Sequence, residues 1–91
     1  MPEISRFLGI IITLYWEVTA PHHVPHFHVR YNEFQASYSI DPITQLAGAL
    51  PRRQQRLVEA WAELNQEQLQ ENWHLVQQGR KPHKIKGLTQ E

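Results

Sequence analysis

The chain has 91 residues, no cysteine, a formal net charge of zero and 41% hydrophobic residues. This length predicts a single domain over residues 1–91, and the hydrophobic content excludes an intrinsically disordered chain. A neutral chain has no overall field that attracts nucleic acid, and a small domain without disulfides suits a reducing compartment, so we expect a cytoplasmic protein.

Residues 7–18 alternate in hydropathy and are rich in β-branched and aromatic side chains. The residues of one parity are all apolar: Leu8, Ile10, Ile12, Leu14, Trp16 and Val18. This alternation predicts one central strand packed on a core. The run is too short to cross a bilayer, which takes about 20 residues, so we expect no membrane association. Pro21 and Pro25 then predict a loop over residues 19–25.

Residues 26–40 have the clearest pattern, which is two alternating runs on either side of Asn32 and Glu33. A two-residue turn there predicts a β-hairpin. The pairs in this register are His26–Ser39, Phe27–Tyr38, His28–Ser37, Val29–Ala36, Arg30–Gln35 and Tyr31–Phe34. The register is well specified because a slip of one residue would mix the apolar and polar faces.

Two helices are predicted after the strands. Pro51 suits the first position of a helix, and Asn65 followed by Gln68 is typical of a capping box that begins a second one. Apolar residues recur at helical spacing, first at Leu57, Trp61 and Leu64 and then at Leu69, Trp73 and Val76. Gly79 suits the C-cap of the second helix.

The order of these elements predicts an α+β fold. We expect a three-stranded antiparallel sheet followed by two antiparallel helices packed on one face. Residues 43–50 fit either a short fourth strand or a loop. The polar residues 82–91 predict a flexible tail.

Reactive side chains concentrate in the histidine-rich segment that begins at His22. His26, His28 and Arg30 share the polar parity of one predicted strand, with Ser37 opposite. The two imidazoles can act as base and acid while Arg30 binds a phosphate, as in metal-free cleavage of RNA. Alternatively, His22, His26 and His28 fit a divalent metal site with an open position. A solvated polar strand face without chemistry is the third interpretation.

A second cationic group consists of Arg52, Arg53 and Arg56 at the start of the first predicted helix. Cations at this end oppose the helix dipole, so an anionic substrate or an acidic partner would stabilise them. The three arginines are therefore candidate contacts to a substrate or partner, and plain solvation is the alternative.

Several segments together resemble one bacterial family. They are VPHFHV at residues 24–29, LPRR at residues 50–53, ENW at residues 71–73 and PEISRF at residues 2–7. This combination resembles the small proteins catalogued as domain of unknown function 4160, over about residues 2–88. The family signature reads roughly Asp-His-Asn-Pro-Pro-His-Phe-His. This sequence matches the signature at His22, Pro25, His26, Phe27 and His28. Pro21 stands where the signature has its Asp carboxylate.

The resemblance implies an α+β fold and a genetic setting beside a second small protein, in pairs that look like toxin–antitoxin modules. It therefore implies a toxin-like protein that acts on RNA through the histidine-rich strand and has an antitoxin-like partner. A non-enzymatic module that binds protein or nucleic acid with the same face is the alternative.

Overall fold

The computed structural model describes residues 2–17 and 24–89, which contain five strands and two helices. The elements are β1 (Glu3–Phe7), β2 (Ile10–Thr13), β3 (His26–Tyr31), β4 (Phe34–Ile40), β5 (Ile43–Ala49), α1 (Arg52–Leu64) and α2 (Gln66–Gln77). The strands form one antiparallel sheet in chain order. The α+β class is therefore confirmed, but the prediction of three strands with at most a short fourth is wrong.

The first hairpin is the main departure from the predicted strands, because residues 7–18 do not form one strand. The chain turns at Leu8 and Gly9, between β1 and β2. Both turn residues have positive φ, 51° and 78°, as a two-residue type I′ turn requires. Leu8 is 40% exposed at the turn, whereas Ile12, on the same predicted parity, is fully buried.

The second hairpin is confirmed. β3 and β4 pair in the predicted register at all six positions. The connection is the two-residue turn at Asn32 and Glu33, and Asn32 has the left-handed backbone (φ 52°) that asparagine tolerates well. β3 pairs with both β2 and β4, so the histidine-rich strand lies inside the sheet and not at its edge.

β5 occupies an edge of the sheet, so residues 43–49 are a strand and not a loop. Its register with β4 shifts beyond Ser37, which is typical of a β-bulge. Gly48 lies next to this irregularity with φ 77°, and a Cβ there would lie 2.8 Å from the Cα of Ala36. Glycine is therefore required for β5 to approach β4 at this point.

The helix ends agree only partly with the predictions. Pro51 is the N-cap of α1 and not its first residue. The side-chain amide of Asn65 donates to the carbonyl oxygen of Trp61 at 2.8 Å, so the predicted capping box with Gln68 is wrong. Gly79 follows the C-cap residue Gln78 with φ 74°, and it is the left-handed glycine that the sequence predicts at this helix end.

One hydrophobic cluster joins the sheet to the helices. Trp61 of α1 is fully buried at its centre and contacts Phe7 and Phe27, with ring centroids 5.8 Å and 5.9 Å away. Leu64, which the helical spacing assigns to the same stripe, is 75% exposed. The helices therefore cover the sheet face that carries the large apolar side chains.

The segment that follows α2, described as far as residue 89, packs against the rest of the protein. The Ile85 amide donates to the Ile4 carbonyl oxygen at 2.7 Å, and the Asn72 side chain forms two hydrogen bonds with the backbone of His83. Ile85 is only 5% exposed. These contacts place the segment beside β1, and its mobility over residues 82–91 stays a prediction.

Candidate functional site on the open face of the sheet

The sheet face that the helices leave uncovered forms a groove. Because side chains alternate along a strand, the burial of Phe27 and Val29 in the core directs His28 and Arg30 to this open face. The groove has a volume of about 560 Å³. Its polar lining residues are Glu3, Thr13, Tyr15, His28, Arg30, Gln35 and Ser37.

Three residues of the predicted site meet in this groove. His28 pairs with Ser37 on β4 and with Thr13 on β2. Arg30 lies two residues further along β3 and is exposed. The structure therefore brings His28, Arg30 and Ser37 to one accessible surface, while their chemical roles stay predictions.

An aromatic ring fixes the orientation of His28. Tyr15 stacks on the imidazole, with ring centroids 4.7 Å apart and planes 11° from parallel. Burial raises the pKa of the Tyr15 hydroxyl, and the nearby Glu17 carboxylate raises it further. Tyr15 is therefore a neutral group at physiological pH, and it serves as one wall of the groove.

Glu17 joins the two histidines of β3. Its Oε1 lies 2.8 Å from Nε2 of His28 and 3.2 Å from Nε2 of His26. The other ring nitrogen of His26, Nδ1, donates to the Val24 carbonyl oxygen at 2.8 Å. We call Glu17, His26 and His28 the Glu17 cluster. Among the described residues it is the one group of histidines and carboxylates able to hold a metal ion, with its ligand atoms within 4.8 Å of one another.

The two histidines set the ionisation of Glu17. Contact with His26 is the largest cause that lowers the pKa of the carboxyl group; burial acts in the opposite direction, and His28 lowers the pKa further. The net effect is a pKa below the usual value for glutamate. The cluster therefore contains an ionised carboxylate at neutral pH.

His26 differs from His28 in its surroundings although both share one parity of β3. The His26 side chain is 8% exposed, against 29% for His28. Trp73 of α2 lies against it, with ring centroids 5.1 Å apart, and Trp16 packs on Trp73 in turn. His26 and His28 still share one face of β3, with ring centroids 5.1 Å apart, but His26 is largely shielded from solvent and His28 is not.

Glu3 also lines the groove. Its carboxylate forms an ion pair with Arg6, at 2.7 Å between Oε1 and Nη2. The hydrogen bond with Arg6 is the largest cause that lowers the pKa of Glu3. Because this pair offsets the carboxylate charge, Glu3 repels an anion at Arg30 less than a free carboxylate would.

The other predicted site residues lie elsewhere. Arg52, Arg53 and Arg56 are exposed on α1, and the groove lining does not include them among the residues that the structure describes. The structure therefore does not bring the arginine group to the histidine-rich strand. His22 lies outside the described residues, so only His26 and His28 of the predicted metal set can be placed.

Sequence reasoning did not include Glu17 or Tyr15 among the site residues, because residues 7–18 were predicted to form one strand. One signal for Glu17 was available, because it is the sole carboxylate between residues 4 and 32. Its contact with His26 spans nine residues of chain, and no local pattern predicts such a contact. Trp73 was predicted to be a core residue, and its 4% exposure confirms that it is buried.

The fold and the site together define a small α+β protein in which one sheet face is covered by helices and the other carries a polar groove. The sequence profile of a family described as a domain of unknown function, DUF4160, matches residues 9–74, and the chain belongs to this family. No curated protein and no solved structure matches the chain. Neither helix in the described part of the chain is long and apolar enough to cross a bilayer.

Proposed function

We propose that this protein is the toxin-like component of a bacterial two-protein module and that it acts on RNA in the groove. The observation that carries the proposal is the groove itself, which places Arg30, His28 and Tyr15 on one concave surface. Binding and catalytic sites usually occupy such concave surfaces. The two halves of the proposal, RNA binding and growth inhibition, can be tested separately.

The lining of the groove suits a sugar-phosphate backbone. The guanidinium of Arg30 offers paired donors that match a phosphate group. The hydroxyl groups of Thr13 and Ser37 flank His28 on the neighbouring strands, and hydroxyls of this kind can hydrogen-bond to ribose or phosphate oxygens. The rings of Tyr15 and His28 offer the kind of surface on which unpaired bases stack.

The reactive position in this proposal is the Glu17 cluster. Cleavage would proceed by attack of the 2′-oxygen on phosphorus, with loss of its proton and departure of the 5′-oxygen, which takes up a proton. The products are a 2′,3′-cyclic phosphate and a 5′-hydroxyl. His26 is buried, and of the two histidines only His28 reaches the groove. We therefore assign the proton transfers to the three residues of the Glu17 cluster together, and not to the two histidines as separate base and acid.

The binding half is tested with Arg30→Ala and a short fluorescently labelled single-stranded RNA. Arg30 is exposed, so its loss should leave the fold intact while it weakens RNA affinity roughly tenfold. Arg80→Ala is the matched control, because Arg80 is also exposed but lies outside the groove lining. Equal affinities for the two variants, measured by fluorescence anisotropy, would contradict the proposal.

The toxin half is tested by inducing the protein in a bacterial host. Wild type should arrest growth, and His28→Ala should not, with circular dichroism confirming that both are folded. Growth arrest by a folded His28→Ala variant would show that the activity does not need the Glu17 cluster. RNA binding without arrest and without cut RNA would instead favour the non-enzymatic binding module.

The proposal also includes a second small protein as the antitoxin-like partner. Coexpression with the product of the adjacent gene should relieve the growth arrest by wild type. Persistent arrest, with both proteins present in the cells, would count against the two-protein module and leave the RNA-binding half unaffected.

A further inference from the structure

The Glu17 cluster brings two imidazole nitrogens and one carboxylate oxygen within 4.8 Å of one another. Nδ1 of His26 lies 2.8 Å from the Val24 carbonyl oxygen, and a carbonyl only accepts, so this nitrogen carries a proton. In a neutral ring, Nε2 is then the nitrogen with a lone pair that can bind a metal ion. This Nε2 lies 3.2 Å from Oε1 of Glu17.

The His26 ring is 8% exposed and packed against Trp73, so its position is fixed. The same Oε1 also lies 2.8 Å from Nε2 of His28. Three potential ligand atoms therefore converge on one small volume.

We propose that Glu17, His26 and His28 bind one divalent transition-metal ion, with zinc as the ion that best fits the ligands. Imidazole nitrogens and a carboxylate oxygen are zinc ligands, and three protein ligands with an open fourth position are typical of catalytic zinc sites. Metal bonds of about 2.1 Å place neighbouring ligand atoms roughly 3.0–3.4 Å apart. The two contacts of Glu17, at 2.8 Å and 3.2 Å, lie close to this range, and all three ligand atoms lie within 4.8 Å of one another.

The surroundings of both rings support this assignment. A metal-bound histidine almost always donates its other N–H to a carbonyl, a carboxylate or water, which fixes the tautomer. His26 makes such a bond to Val24 and is held against Trp73. His28 is held by its stack on Tyr15. Both rings are therefore held with Nε2 next to Oε1 of Glu17.

This inference rests on the ligand geometry and does not depend on RNA as the substrate. His28 is half-buried and lines the groove, so an ion at the cluster would lie at the edge of the surface that carries Arg30. A zinc ion there would supply Lewis-acid stabilisation of a phosphate oxygen. The metal site would then coincide with the reactive position of the proposed RNA groove.

The test uses full-length protein without a histidine tag, freed of metal by a chelator and then dialysed. Calorimetric titration with Zn²⁺ should give one ion per chain, and Co²⁺ should produce visible absorption bands typical of nitrogen and oxygen ligation. Glu17→Gln and His28→Gln should each weaken Zn²⁺ affinity at least about tenfold. Glu33→Gln and His74→Gln are the matched controls, since both residues are exposed and outside the cluster.

Three results would overturn the inference. The first is that folded wild type does not bind Zn²⁺ stoichiometrically, and the second is that both cluster variants keep the Zn²⁺ affinity of wild type. The third is a nitrogen NMR spectrum of the zinc-loaded protein in which Nε2 of His26 carries a proton. All measurements are made without RNA. A failed RNA-binding assay therefore leaves this inference standing, and a failed metal titration leaves the role of Arg30 standing.

Discussion

Gly48 lies where the edge strand β5 meets β4 and forms part of the groove. A Cβ at this position would lie 2.8 Å from the Cα of Ala36 and 2.9 Å from the carbonyl carbon of Gln35. Both atoms belong to the backbone of β4, so they cannot move aside without disturbing the strand pairing. We therefore expect Gly48→Ala to reduce the free energy of unfolding substantially.

Two separate costs make up the expected loss for Gly48→Ala. An L-residue with a φ of 77° costs roughly 1–2 kcal/mol in left-handed strain. Forcing a methyl group into a closely packed position costs about 1–3 kcal/mol more. The sum is about 2–5 kcal/mol, which is a large share of the roughly 5–15 kcal/mol by which small domains are stable.

Gly79→Ala is the matched control because it has the strain without the clash. Gly79 has a φ of 74°, and a Cβ there meets nothing within 4 Å. Urea unfolding followed by tryptophan fluorescence should give a loss of about 1–2 kcal/mol for Gly79→Ala and a clearly larger one for Gly48→Ala. Equal losses would show that β5 moves away from β4 at no cost, and the reasoning about this contact would be refuted.

Two further variants test the packing beyond the groove. Ile85→Ala should lower the free energy of unfolding by about 2–4 kcal/mol, because Ile85 is 5% exposed and lies against Ile4; a loss near zero in urea unfolding would show that the C-terminal segment adds no stability. Burial, and then the charge of Glu59, raise the pKa of Tyr38 above that of an exposed tyrosine. The folded protein therefore holds this proton more tightly than the unfolded chain, so stability should fall as pH rises above about 10. Tyr38→Phe should make this fall shallower, and identical pH profiles in urea unfolding would contradict the expectation.

The second hairpin could be predicted because its determinants are local. Alternation in residues 26–40 assigns each side chain to a face, and Asn32 marks the turn, so one register alone keeps the faces separate. The left-handed Gly79 at the end of α2 was predictable for a similar reason, since few residues other than glycine adopt a left-handed backbone readily. In both cases neighbours in the sequence are neighbours in the structure.

The first hairpin was missed because its turn does not interrupt the hydropathy pattern. Leu8 is apolar and continues the alternation, although its backbone has positive φ and its side chain is exposed. Gly9 was the available signal, since a glycine inside a predicted strand often marks a bend. Without this turn, the predicted sheet has too few strands. Tyr15 and Glu17 were also assigned to a strand that in the structure ends at Thr13.

The sequence by itself determined which face of β3 carries His28 and Arg30, because alternation along a strand is a property of the backbone. Only the tertiary structure decided that Glu17 contacts both histidines and that Trp73 buries His26. The contacts of Glu17 bridge nine and eleven residues of chain, and the contact of Trp73 depends on how α2 packs on the sheet. Packing of this kind is set by the shape of the whole core, which no local pattern encodes.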